Sequence, residues 1–242
     1  MDDRRLTLQE ICELSGLSHG TVQRILTDHL QLSKVSARWV PRQLTEEKMV
    51  IRRTISHSLL SRNTNSNGHL LDTVITMDET WIPLFNPETK RQSKQWKHSF
   101  SPPPNKFRQV PSNDKVLYAI FWDKRGLVLS HPVPKGKTIT GQYLLQLLDT
   151  ELLPTIQQCR PNLAQSGFIL HWDNAPPHTA KIVLKFLQDR NIELLPHPPY
   201  SPDLAPSDFW LLPNIKDSLR GKHYTSRSAL GSAIFQYLNH TP

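Results

Sequence analysis

The chain has 242 residues, which is enough for one α/β domain and a small second domain. Its formal net charge of +8 and isoelectric point of about 9.6 favour a polyanionic partner, although an ordinary basic protein has the same balance. Cys12 and Cys159 lie far apart, which argues against a disulfide framework or structural zinc site, and the lack of a signal peptide or long apolar run predicts an intracellular protein without a membrane partner.

Residues 6–32 predict two helices joined by a tight, glycine-containing turn. Ser18 is placed to cap the second helix, with Val22, Ile25 and Leu26 facing inward. In a helix-turn-helix, the N-terminal part of the second helix contacts base edges in the major groove. A plain helical hairpin has the same pattern. The exposed side of the second helix carries the candidate DNA-binding residues His19, Thr21, Gln23 and Arg24.

A linker and one further helix follow. Residues 34–42 contain a proline and predict an extended segment in which Arg38 and Arg42 contact a phosphate backbone, although a plain linker fits equally well. Thr45 is placed to cap a helix that reaches about Ser61. The polar residues that come next then mark the boundary of the following domain.

The next segment combines a strand with a long basic insertion. The β-branched run that begins at residue 73 predicts a strand ending at Asp78. Residues 86–113 are rich in charge and proline, and Trp96 and Phe107 interleave with the cations, which suits phosphate contact and stacking. A solvated surface loop is the alternative. The candidate DNA-binding residues of the insertion are Lys90, Arg91, Lys94 and Lys97.

The rest of the chain alternates strands and helices, which is an α/β order. The early strands are expected to pair antiparallel as a hairpin, and the later ones to pair parallel. Leucines at helical spacing in the first of these helices are interpreted as core residues. Strands are predicted at residues 116–121, 127–133, 168–170 and 192–195, and helices at residues 140–158, 178–190 and 209–219.

Two further acids have positions similar to that of Asp78. Asp173 follows the apolar strand 168–170, and Asp208 opens a helix after a proline-rich turn. Ligands and metals collect at the carboxyl edge of α/β sheets, and carboxylates there can hold two Mg²⁺ ions that clamp a phosphodiester under attack. A turn or helix-capping aspartate is the alternative for Asp173. These patterns alone predict a candidate metal–carboxylate site.

Three motifs around these acids resemble those of mariner-type DNA transposases. They are residues 77–81, 171–180 and 198–209, in the same order, with 34 residues between Asp173 and Asp208. The resemblance extends over residues 6–238. It implies an α/β fold with an RNase H-like mixed sheet flanked by helices, preceded by a small all-α helix-turn-helix domain. It further implies that Asp78, Asp173 and Asp208 are the catalytic residues and the ligands of Mg²⁺ or Mn²⁺.

The same resemblance implies a function and partners. The activity would be cut-and-paste transposition, by phosphodiester hydrolysis and strand transfer at transposon terminal inverted repeats. The partners would be double-stranded DNA, both transposon ends and target, and a second copy of the chain in a homodimer in the nucleus. Two alternatives stay open: a transposition-inactive DNA-binding remnant, and a metal-dependent nuclease of the same fold.

The resemblance also implies a domain organisation. Residues 1–33 would be the second helix-turn-helix unit of the family's usual pair, residues 34–68 the linker with its helix, and residues 69–242 the catalytic domain. The basic insertion 86–113 would be a clamp loop that reaches the partner subunit. Because the first unit of the pair and the family's C-terminal helical sequence are not present, we expect a chain truncated at both ends.

Several neighbouring residues are expected to play supporting roles. His171 and His178 are interpreted as structural or as supporting the acids, since carboxylate neighbours suit hard cations better than the metals that histidine prefers. Glu79 is not expected to be a ligand, and Asp203 is expected to shape its turn. The tryptophans of the first two motifs are expected in the core; they are Trp81 and Trp172.

Overall fold

The computed structural model describes residues 5–35 and 42–240, in two compact units that comprise residues 1–43 and 44–242. Helix α1 (Leu8–Ser15) begins with a capping box between Thr7 and Glu10, and the left-handed Gly16 ends it. Helix α2 (His19–Arg24) is capped by Ser18 and continues as a π-helical turn, Ile25–His29. The predicted helix pair is therefore confirmed.

The inward-facing residues of α2 are only partly as predicted. Val22 is buried and Leu26 is half-buried, but Ile25 is exposed. Ile25 begins the π-helical turn, whose wider hydrogen-bonding pattern shifts side chains away from the 3.6-residue period on which the prediction relied.

In the larger unit, α3 (Glu46–Asn65) begins at the predicted cap Thr45 but runs past Ser61. Two of the polar residues expected to break the helix donate their side-chain hydroxyls to helix carbonyls: Thr64 to Leu60 O and Ser66 to Asn63 O, both at 2.9 Å. The helix ends only where Asn67 and Gly68 take left-handed backbone angles, φ 51° and 84°.

Five strands form one mixed sheet in the order β3-β2-β1-β4-β5, with β1, β2 and β3 antiparallel and β1, β4 and β5 parallel. The predicted hairpin and the predicted parallel strands are thus confirmed. The strands are β1 (Val74–Pro83), β2 (Lys115–Asp123), β3 (Gly126–Pro132), β4 (Ile169–His171) and β5 (Glu193–Leu195).

The prediction that the first strand ends at Asp78 is wrong. β1 continues to Pro83 because its pairing with β2 extends to Lys115. On the other side of β1, the parallel pairing with β4 stops at the pair Thr76–His171. Asp78 therefore lies in mid-strand, two residues beyond the point where the parallel pairing stops.

Helices cover both faces of the sheet. One face packs against α4 (Gly141–Leu147), α5 (Leu153–Cys159), α6 (Pro161–Ser166) and α7 (Lys181–Asp189), and the other against α8 (Leu212–Leu219) and α9 (Arg227–His240). A π-helical turn joins α4 to α5 and another precedes α8. The predicted core leucines of the long helix are confirmed, with Leu144, Leu147, Leu148 and Leu152 buried and Leu145 partly so.

Two further expectations need correction. Helix α7 begins at Lys181 rather than at residue 178, because residues 175–180 form successive turns in which the His178 amide donates to Ala175 O. Trp172 is buried, but Trp81 is 45% exposed, since it lies on the part of β1 that has no parallel neighbour, and Lys115 lies 4.7 Å from its ring centre. Within residues 5–35 and 42–240, no helix is long and apolar enough to cross a bilayer.

Candidate active site

The sheet register places two of the predicted acids at the same level. Thr76 of β1 pairs with His171 of β4. Asp78 comes two residues after Thr76 and Asp173 two residues after His171, so the two acids lie at the same level of the sheet. Side chains alternate along a strand, so Asp78 shares the α8–α9 face with Ile82, while Met77 and Glu79 point to the face of α4–α7.

Asp208 approaches Asp78 from the helical layer. It lies in the π-helical turn Ser207–Leu211 that leads into α8, and its amide donates to Ala205 O at 2.9 Å. Its carboxyl group is near enough to that of Asp78 for each charge to affect the ionisation of the other. Both acids line a cleft of about 370 Å³, whose other lining residues include Glu79, Thr80, Lys216 and Arg220.

The environment of this pair disfavours two negative charges. Burial, and then repulsion from Asp208, raise the pKa of Asp78 to about 7. Partial burial also raises the pKa of Asp208. The interaction with the Asp78 carboxyl group lowers this pKa, but by less than burial raises it. The pair thus has an unbalanced negative charge that a proton or a cation would relieve.

Asp173 is held by a different set of contacts. Its Oδ1 atom accepts hydrogen bonds from the Ala175 amide at 3.0 Å and from His178 Nδ1 at 2.8 Å. The hydrogen bond from His178 lowers the pKa of Asp173, so this carboxylate stays charged. Within the described part of the chain, Oδ2 accepts no hydrogen bond and remains available.

His178 bridges two carboxylates. Its Nε2 lies 3.1 Å from Glu79 Oε1, while Nδ1 binds Asp173, and the ring is fully buried and stacked on Trp172. Burial lowers the pKa of His178, but the hydrogen bonds to Asp173 and Glu79 outweigh it and raise the pKa to about 9. Glu79, which was expected only not to be a ligand, therefore binds the histidine that holds Asp173.

Two further histidines, His171 and His197, contact each other next to the loop that bears Asp173. His171 Nε2 is 3.2 Å from His197 Nδ1, and its Nδ1 is 3.1 Å from Thr76 Oγ1. Burial lowers the pKa of His171 to about 4, so the ring is neutral. Asn174 donates to His197 O at 2.8 Å, which ties the Asp173 loop to the segment after β5. No local pattern pointed to His197.

Asp203 does more than shape its turn. It lies in the short 3₁₀ turn Pro202–Leu204, and both its oxygens accept from Arg52 of α3, at 2.7 and 2.5 Å. This bidentate pair fastens the segment that leads to Asp208 onto a helix 151 residues away in sequence.

The donor set suits a hard divalent cation, although the three acids do not form one compact group. Asp78 and Asp208 share the cleft, whereas Asp173 is turned towards His178. Among the described residues, no group of three or more His, Cys, Asp or Glu side chains is arranged to hold a metal ion. The fit rests on carboxylate oxygens, which Mg²⁺ and Mn²⁺ prefer, and on the uncompensated charge of the Asp78–Asp208 pair.

The predicted DNA-binding residues differ in availability. On α2, His19, Gln23 and Arg24 are exposed, whereas Thr21 is half-buried and its hydroxyl lies 2.9 Å from that of Ser18. Arg38 lies outside the described residues, and Arg42 is exposed. In the insertion the four cations Lys90, Arg91, Lys94 and Lys97 are exposed, as are the predicted stacking residues Trp96 and Phe107.

Comparisons with known proteins bear on this site. A family model described as Transposase (partial DDE domain) matches residues 86–165. The mariner Mos1 transposase of Drosophila mauritiana is 32% identical over 228 residues, which is 93% of this chain and 64% of that protein. The histone-lysine N-methyltransferase SETMAR of Homo sapiens is 33% identical over 237 residues, 98% of this chain but 34% of that protein. The chain thus spans only part of the length of both relatives.

The fold of the chain is also similar to that of a solved transposase structure. The crystal structure of the Mos1 mariner paired end complex with Mn has a TM-score of 0.76 and 30% identity, covering 99% of this chain and 69% of that chain. The predicted RNase H-like mixed sheet with preceding helices is confirmed by this likeness.

Proposed function

The chain belongs to the mariner family of DNA transposases, and from this membership we propose that it cuts DNA at the ends of a mobile element and joins them to a target. The observation that carries the proposal is the Asp78–Asp208 pair, two carboxyl groups sharing one cleft at the level of Asp173. Such an arrangement has little structural use, because it raises the free energy of the folded chain.

We propose that Asp78, Asp173 and Asp208 are the ligands of Mg²⁺ or Mn²⁺. When bound, the metal would activate a water or a DNA 3′-hydroxyl and stabilise the charge that develops on the phosphodiester. The chain's own contribution is positional. His178 and Glu79 fix Oδ1 of Asp173, which leaves Oδ2 as the donor atom. The Arg52–Asp203 pair holds the segment before Asp208.

The reaction would proceed in two stages. Water would first hydrolyse a phosphodiester bond at each end of the element, which leaves a 3′-hydroxyl. That hydroxyl would then attack a target phosphodiester, so one bond forms as another breaks and no further reactant is needed. The acids need only hold the reacting groups in place, which is why no protein nucleophile is required.

DNA contacts would come from three segments. His19, Gln23 and Arg24 present a reading surface on α2, and Arg38 and Arg42 would contact the backbone. The cations of the insertion 86–113, with its exposed aromatic residues, would bind DNA as a clamp loop towards a partner subunit. The proposal thus includes terminal inverted repeats and target DNA as substrates, a homodimer, and action in the nucleus.

A plasmid-nicking assay tests the proposal. Supercoiled DNA is incubated with the purified chain and Mn²⁺, alongside Asp173→Asn and the matched surface variant Asp149→Asn, whose carboxylate pairs with Arg190 at 2.7 Å. We expect nicking by the wild type and Asp149→Asn and none by folded Asp173→Asn. Nicking that survives in Asp173→Asn would refute the site. A strand-transfer assay with end-derived oligonucleotides then separates a transposase from a nuclease of the same fold.

A further inference from the structure

The cleft that contains Asp78 and Asp208 also has a cationic side. Helix α8 continues directly from the turn that bears Asp208, and Lys216 on this helix and Arg220 directly after its last residue line the same cleft. The cleft of about 370 Å³ has room for roughly ten water molecules, far more than bound metal ions alone require.

The two cations differ in how they are engaged. Arg220 Nε donates to Asp217 Oδ1 at 2.8 Å, and its Nη1 lies 3.5 Å from Pro87 O, so the guanidinium is held in place and partly neutralised. Lys216 makes no ion pair or hydrogen bond with any residue in the described part of the chain. Its ammonium group is close enough to lower the pKa of Asp208. Lys216 is therefore a half-buried positive charge beside the acids without a fixed partner.

A buried hydroxyl in the same wall also lacks a partner. Thr80 lies two residues along β1 from Asp78, on the same face, and lines the cleft. Its Oγ1 is buried and has no hydrogen bond to any described residue. Buried polar atoms are seldom left without a partner, so an unpartnered hydroxyl in a cleft wall points to a ligand that completes it.

We propose that Lys216 and Arg220, with Thr80 in the wall of the same cleft, form a subsite for one backbone phosphate of the DNA strand, next to the phosphodiester that is cut. The inference rests on the proposed function for its substrate. A lysine supplies a compact charge, and an arginine supplies directed donors, which together suit a phosphate group. The subsite would seat the strand so that the neighbouring phosphodiester faces Asp78, Asp173 and Asp208.

The subsite can be tested without metal. A fluorescent 30-base-pair duplex is bound in EDTA, where no cleavage occurs, and affinity is measured over a series of salt concentrations. Loss of one phosphate contact reduces the salt slope by about 1. We expect that reduction, with weaker binding, in Lys216→Gln, and retention of the wild-type slope in Lys216→Arg. The matched control is Lys185→Gln, an exposed lysine of α7 on the other side of the sheet.

The nicking reaction gives a second readout. Lys216→Gln and Arg220→Gln should raise KM for DNA several-fold with a smaller change in kcat, whereas Asp173→Asn loses kcat. An unchanged salt slope and KM in folded Lys216→Gln would overturn the subsite even if the wild type nicks DNA, as would the same slope change in Lys185→Gln. A slope change specific to Lys216 supports the subsite even if the wild type does not nick DNA. The experiment therefore distinguishes failure of the phosphate subsite from failure of the proposed cleavage activity.

Discussion

His178 Nδ1 lies 2.8 Å from Oδ1 of Asp173, and the histidine ring is completely buried. The same ring reaches Glu79 with its other nitrogen, so a charged imidazole joins β1 to the loop after β4. The contact fixes one oxygen of the proposed metal ligand and leaves the other available. The geometry of this site therefore depends on residues that support the proposed ligands as well as on the ligands themselves.

Removal of the bridge should impair catalysis while the fold persists. We expect His178→Gln to lower the rate of Mn²⁺-dependent nicking by about 10–100-fold, because Asp173 loses the donor that orients it. Single-turnover nicking at saturating DNA measures this. Glu79→Gln, which keeps a weaker bridge, should have a smaller effect. A wild-type rate in folded His178→Gln would show that the bridge has no catalytic role.

The bridge should also make stability depend on pH. The pKa of His178 is raised from 6.5 in the unfolded chain to about 9, so its stabilisation is fully present below pH 6.5 and is lost as the pH rises through 9. The loss is on the order of 3 kcal/mol for this buried group. Urea denaturation in EDTA at pH 6.5 and 9 measures it. The drop should be largely absent in His178→Gln; an equal drop in both proteins would contradict the assignment.

The acidic pair should cost stability when no metal is present. Asp208→Asn removes the charge that opposes ionisation of Asp78, so we expect the metal-free variant to be more stable than the wild type by roughly 1–2 kcal/mol. Urea denaturation at pH 7.5 in EDTA gives the comparison. A less stable variant would mean that the Asp78–Asp208 contact stabilises the fold rather than serving a metal.

A buried ion pair remote from the acids should matter for the fold. Arg160 donates from Nε to Asp123 Oδ2 at 2.6 Å, and the Asp123 side chain is 2% exposed. Arg160→Ala leaves that buried carboxylate with only the Arg125 amide at 2.8 Å and the Arg125 guanidinium at 4.0 Å, so we expect a loss of about 3 kcal/mol in the free energy of unfolding. Arg190→Ala breaks an exposed pair with Asp149 and should cost no more than about 1 kcal/mol. Equal losses would contradict the distinction.

Local patterns predicted the elements whose burial is regular. The hairpin β2–β3 and the leucine-rich helices were predictable because alternation and helical spacing mark one buried face. Helix α9 was not predicted, although Leu230, Ile234 and Leu238 repeat every four residues and are buried. The spacing was present in the sequence, and the helix contributes to the core on the α8 side of the sheet.

Features that depend on distant partners were not predictable. The continuation of β1 past Asp78 depends on pairing with β2, which begins more than thirty residues later. Glu79 and His197 gain their roles only from the fold, through His178 and His171. The three acids were recognised by motif, but the turn of Asp173 towards His178 rather than towards the Asp78–Asp208 pair is set by tertiary contacts.

Binding of Mn²⁺, followed by electron paramagnetic resonance of the free ion, tests most directly whether the three aspartates form one metal site. The wild type should take up one or two Mn²⁺ ions per chain, and Asp78→Asn, Asp173→Asn and Asp208→Asn should each lose at least one, while Asp149→Asn binds as the wild type does. Undiminished binding in all three folded variants, or none in the wild type, would contradict the account.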